Sequence, residues 1–115
     1  MTPLELAIRN SAIRGTFYWW FQHKRGKARR RPYLIEVRVD LPEEVLRTFI
    51  PPDGWTTAHI DIGREMVFLR RRQELRDKDL RGMFAEVLTF AFNNNGRFHS
   101  WMHEPLEDWY LPPSP

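Results

Sequence analysis

Leu80, Met83, Phe84, Val87, Leu88, Ala91 and Phe92 recur at intervals of three and four residues, so a helix drawn through them carries one continuous apolar stripe. Such a stripe is stable only against a second apolar layer, and that requirement limits the folds open to the chain more than any other feature. Asp79 stands where the helix start takes a cap. Asn93-Asn94-Asn95-Gly96 stands where it stops, because Asn and Gly best tolerate left-handed backbone.

Alternation supplies the second layer. In the segment from Tyr33 to Asp40, residues Tyr33, Ile35, Val37 and Val39 fall on one face, and Leu34, Glu36, Arg38 and Asp40 on the other, the period of a half-buried strand. Further strands are expected over 55–62 and 64–71, joined around Gly63, and over 97–102. The run Phe17-Tyr18-Trp19-Trp20-Phe21 reads as a strand over 17–22, since aromatic side chains favour sheets. Paired with 33–40, it makes an antiparallel hairpin whose tip is 23–32, punctuated by Gly26 and Pro32.

Two other helices are expected. Thr2-Pro3-Leu4-Glu5 has the form of a capping box with proline at the first helical position. Leu4, Ile8 and Ala12 follow four apart, Leu6 and Ile13 widen the stripe, and Gly15 is placed to end it. Asp40-Leu41-Pro42-Glu43 repeats the capping logic for a short helix through Leu41, Val45 and Phe49, ended by Pro51-Pro52, and Asp53-Gly54 makes a turn. The expected order is α-β-β-α-β-β-α-β. This is an α+β fold, an antiparallel sheet of about five strands with helices packed on one face. Residues 1–104 read as a single α+β domain and 105–115 as a proline-rich C-terminal tail.

The chain contains no cysteine, which excludes disulfides, thiolate zinc sites and cysteine nucleophiles. Its N-terminus lacks the basic and apolar regions of a secretion signal, and no apolar run approaches the roughly 20 residues that cross a bilayer. A cytoplasmic protein without a membrane partner is the default expectation. No phosphate-cradling glycine loop, GxSxG turn or HExxH motif is present, and no cofactor is implied.

Charge is distributed unevenly. The net charge is +3, yet 23–31 carries six Lys/Arg and no acid. Residues 33–68 sum to −4, 69–81 to +3 and the last thirteen to −3. Lys24, Arg25, Lys27, Arg29, Arg30 and Arg31 form a candidate phosphate-binding set, because cations that displace condensed counterions bind a nucleic-acid backbone whatever its sequence. Tyr18 and Trp20, on one side of the expected strand, are candidate stacking partners for bases. Leu69-Arg70-Arg71-Arg72 could extend that surface if its strand lies beside the first hairpin. Against this, Arg72, Arg76 and Lys78 have Glu74, Asp77 and Asp79 close by for local pairing.

The first functional expectation is therefore a small, non-catalytic, arginine-rich protein that binds nucleic acid through a basic hairpin with adjacent aromatics. The alternative is a protein-interaction or inhibitor module built on an aromatic surface, a sheet edge and the Trp109-Tyr110-Leu111-Pro112 tail. The third is an RNase-like toxin. His99, His103 and Glu104, with His59 and Asp61, are the residues available to it. In a strand His99 and His103 stand about 13 Å apart, too far to bind one metal together.

Overall fold

The computed structural model describes the backbone of residues 1–22 and 32–105, and the side chains of residues 1–15 and 32–104. Its elements are α1 (Pro3–Gln22), β1 (Tyr33–Asp40), α2 (Glu43–Arg47), β2 (Thr56–Asp61), β3 (Met66–Gln73), α3 (Asp77–Asn93) and β4 (Arg97–Pro105). The four strands form one antiparallel sheet in the order β2-β3-β1-β4. From β1 onward the chain is two interlocked β-α-β units, β1-α2-β2 and β3-α3-β4, each skipping over a strand of the other. The α+β class is as expected. Among the described residues the strand number is four, not about five, and the order is α-β-α-β-β-α-β.

The difference lies at 17–22. This segment continues α1, so it is not a strand paired with β1, and the basic segment lies between a helix and a strand. Gly15 does not end the helix. It sits within α1, where a Cβ would stand 2.8 Å from the Phe84 ring and 3.6 Å from Trp101. A glycine inside a helix costs only about 1 kcal/mol, and here its missing side chain lets α1 lie close against α3. The strand preference of aromatics is a weak prior that such packing overrides. The stripe expected of α1 is present but narrower: Leu4, Ile8 and Ala12 lie on the covered side with Ala7, Ser11 and Gly15, whereas Leu6 and Ile13, expected to widen it, are 48% and 56% exposed.

Both long helices begin with capping interactions. The backbone N–H of Glu5 donates to the Thr2 hydroxyl at 3.0 Å, and that hydroxyl donates to the Glu5 carboxylate. For α3 the cap residue is Arg76, and Asp79 acts from inside the first turn, accepting from the Arg76 backbone N–H at 3.1 Å and from its Nε at 2.8 Å. The hydrogen bond to Asp79 holds the Arg76 guanidinium above its ordinary pKa, aided by the charges of Asp79 and Glu74. Asp40 does not cap α2; Pro42 holds that position, and the Asp40 carboxylate turns to Arg38 and Arg97 instead. α3 closes through Asn95 in the left-handed region (φ 58°) and a Gly96 N–H bond to the Ala91 carbonyl.

The core lies between the sheet and the helices. Tyr33, Ile35, Val37 and Val39 from β1 and Val67 and Leu69 from β3 are buried with Leu80, Met83, Phe84, Val87 and Ala91 of α3. Phe84 is the hub, meeting Phe98 and Trp101 of β4 edge-on at 5.7 and 5.9 Å. Phe92, expected in the stripe, is 64% exposed. Among the described residues no helix is long and apolar enough to cross a membrane.

Candidate nucleic-acid interface

Strand alternation sends Arg70 and Arg72 to one face of β3 and Arg71 to the other, and the three neighbours have separate fates. Arg71 lies on the helix-covered side. Its guanidinium stands 4.2 Å over the buried Trp55 ring, pairs with Glu86 of α3 at 2.6 Å and donates to Gln73. That contact partly offsets the cost of the Trp55 indole N–H, which has no acceptor among the described residues. Arg71 is therefore structural. Arg70 reaches the opposite face, uncovered among the described residues, and pairs at 2.8 Å with Glu36, its direct cross-strand neighbour on β1. Arg72 is exposed and makes no ion pair among the described residues.

The expected local pairing holds for Arg76, which binds Glu74 at 2.9 Å and Asp79 at 2.8 Å. It fails for Arg72. The register puts Arg72 opposite Leu34, at the end of β1 where the chain arrives from 23–31. Elsewhere on this face the cations are matched: Arg38 to Asp40 at 3.0 Å and Arg97 to Asp40 at 3.5 Å. Phe68, half-buried on the same face, stands opposite Arg38 and 6.3 Å from the His59 ring.

Lys24, Arg25, Lys27, Arg29, Arg30 and Arg31 lie outside the described residues, as do the side chains of Tyr18 and Trp20. The backbone at 18 and 20 is helical. Residues two apart on a helix do not share a face, so the expected strand-face pairing of these two rings is corrected. The tail 106–115 is likewise outside the described residues.

The histidines do not converge. β4 extends to Pro105, and a β-bulge at His99 shifts its pairing with β1 from Ser100 opposite Arg38 to Phe98 opposite Val39. The extra residue breaks the alternation that would have put His99 and His103 on one side. His103 packs among Tyr33 and Trp101. His59 lies on β2, three strand spacings or about 14 Å across the sheet. Among the described residues no three His, Asp or Glu side chains gather as a metal site would require. Trp101 pins β4 to α3 through Phe84, so it is not an exposed interface anchor. Compared with protein-family models, curated proteins and solved structures, the chain matches none of them.

Proposed function

We propose that the chain is a small non-catalytic nucleic-acid-binding protein. Lys24, Arg25, Lys27, Arg29, Arg30 and Arg31 hold the phosphate backbone, and Arg72 continues the same track onto the sheet. The observation that supports this most is the β1–β3 register, which sets an exposed arginine without an ion pair among the described residues beside the strand that the basic segment enters. Three residues span at most about 11 Å, so Arg31 and the Leu34–Arg72 pair belong to one neighbourhood. Tyr18 and Trp20, on the last turns of α1, remain the candidate stacking residues, now as helix-borne rings immediately before the cations.

The test is a fluorescence titration with single-stranded and duplex oligonucleotides at two or more salt concentrations, using the native tryptophans as probe. Seven phosphate contacts on a single strand predict a log K against log salt slope of about −5. Replacing the six bases of 24–31 with Gln should flatten the slope to about −0.7, the one contact left at Arg72, with the thermal unfolding curve unchanged. Unaltered binding by that variant overturns the proposal. Capture by anionic vesicles but not by oligonucleotides would reassign the basic segment to a lipid surface.

A protein-interaction module is the second reading. It draws on β4, a nine-residue edge strand with Met102 59% exposed, as a place for a partner strand to add.

A further inference from the structure

Gly15 of α1 lies against Phe84 of α3, while Leu4, eleven residues earlier, shares a groove with Ala91 and Phe92. The two helices therefore run antiparallel, and the groove between them meets the start of β4. The groove between them encloses about 480 Å³, within the range of small-molecule sites. Leu88, Phe92 and Phe98 give it an apolar wall, and Phe92 is 64% exposed at its mouth. Such exposure of a large aromatic beside a concavity marks surface that a ligand can cover.

The polar groups on the wall are of one kind. Arg14, Arg97, His99 and Ser11 line the groove, and among the described residues no acidic one does. Arg14 is exposed and makes no ion pair among the described residues, whereas Arg97 is loosely tied to Asp40 at 3.5 Å. His99 reaches the groove because of the bulge in β4. Strict alternation would place consecutive residues Phe98 and His99 on opposite faces, yet both line this cavity. Bulges re-aim side chains in this way at binding sites. Ser11 and Arg14 are three apart on α1, so they present a hydroxyl and a guanidinium on one face toward the same end of the groove.

We infer that the α1–α3–β4 groove binds a small amphipathic carboxylate, an acyl chain or arene bearing one carboxylate. The apolar body covers Leu88, Phe92 and Phe98, and the carboxylate is held by Arg14 with His99 beside it. The groove and the proposed nucleic-acid track approach one another on α1, where Arg14 stands one turn before Tyr18, but the mouth of the groove is remote. It opens at the Asp40 end of β1, about 23 Å along the strand from Tyr33, where the basic segment enters.

The experiment is calorimetric titration of the full chain with decanoate, decanol and decylamine, each below its aggregation threshold. Decanoate should bind saturably at one site, decanol at least ten-fold more weakly, and decylamine not at all. Arg14→Gln, at an exposed position, should lower decanoate affinity about ten-fold, as loss of a charged hydrogen bond does, and leave decanol unchanged. Arg64→Gln serves as the control for general loss of positive charge. Ala7→Trp fills the groove from the α1 side and should abolish both ligands while leaving the oligonucleotide salt slope intact. Absence of saturable decanoate binding, equal affinity for decanol, or equal effects of Arg14→Gln and Arg64→Gln would each overturn the assignment.

Discussion

The two faces of the sheet are built from the same strands by different means. On the covered face, Ile35, Val37, Val39, Val67 and Leu69 are wholly buried beneath α3, and the one arginine there, Arg71, is stacked, paired and hydrogen-bonded. On the uncovered face, Glu36, Arg38, Asp40 and Arg70 stay partly solvated and neutralise one another in ion pairs at 2.8 and 3.0 Å. Burial supplies the free energy of the first face, while the second is held by pairs that water and salt screen. Stability is thereby concentrated on one side: the covered face carries the fold, and charges on the other can change with little structural cost. Arg72 is where that freedom is visible.

The largest break in the comparison should come from Phe84→Ala. It removes the ring on which Gly15, Phe98 and Trp101 converge, and denaturant unfolding should show a loss of about 3–5 kcal/mol. Gly15→Ala approaches the same contact from the helix side. Its Cβ would stand 2.8 Å from the ring, so a loss of about 1–3 kcal/mol is expected despite the better helix propensity of alanine. Gly82→Ala is the control. Nothing lies within 4 Å of its Cβ position, and it should stabilise by up to about 1 kcal/mol. A similar sign at both glycines would mean that α1 does not pack on α3 as described.

Arg71→Gln comes next. It removes the guanidinium over Trp55 and the pair with Glu86, and should cost about 1–2 kcal/mol. Because Trp55 is buried beside the lost cation, its emission should shift as well. Arg70→Gln on the other face should cost less than about 1 kcal/mol, a difference that shrinks at high salt. Equal losses at 70 and 71 would erase the distinction between the faces.

How far these faces could be read from the sequence depended on whether neighbouring residues agreed with their tertiary surroundings. β1 and α3 were legible because a period of two and a period near 3.6 each selected the side that became buried. Even there Phe92 departs: Ala91 beside it in the last turn is buried, while Phe92 lies exposed on the open groove. α1 was legible as far as Ala12, through its cap and the spacing of Leu4, Ile8 and Ala12. Thr2 and Glu5 act locally, whereas continuation through 17–22 depends on Gly15 meeting Phe84, residues 69 apart in the chain. The bulge at His99 had a weak signal: Phe98 and Trp101 are three apart, a spacing that a regular strand cannot place on one face. The split fate of Arg70, Arg71 and Arg72 followed from alternation, but which side was covered, and that β3 lies beside β1, required the sheet order.

The smallest stability effect carries the most functional information. Glu36→Gln should change unfolding free energy by no more than about 0.5 kcal/mol, since its pair with Arg70 is half-solvated. It also leaves Arg70 without its carboxylate, two residues along β3 from Arg72 on the same face. If the phosphate track runs from the basic segment over Arg72 and onward, the freed Arg70 becomes one more contact. The salt slope for a single strand should then steepen by about 0.7. Arg72→Gln should flatten it by the same amount. Opposite shifts of equal size would set the path of the strand across the uncovered face. A slope altered by Arg72→Gln but not by Glu36→Gln would end the track at the rim of the sheet. If neither substitution moved it, binding would be confined to the basic segment and Arg72 would be an ordinary solvated cation.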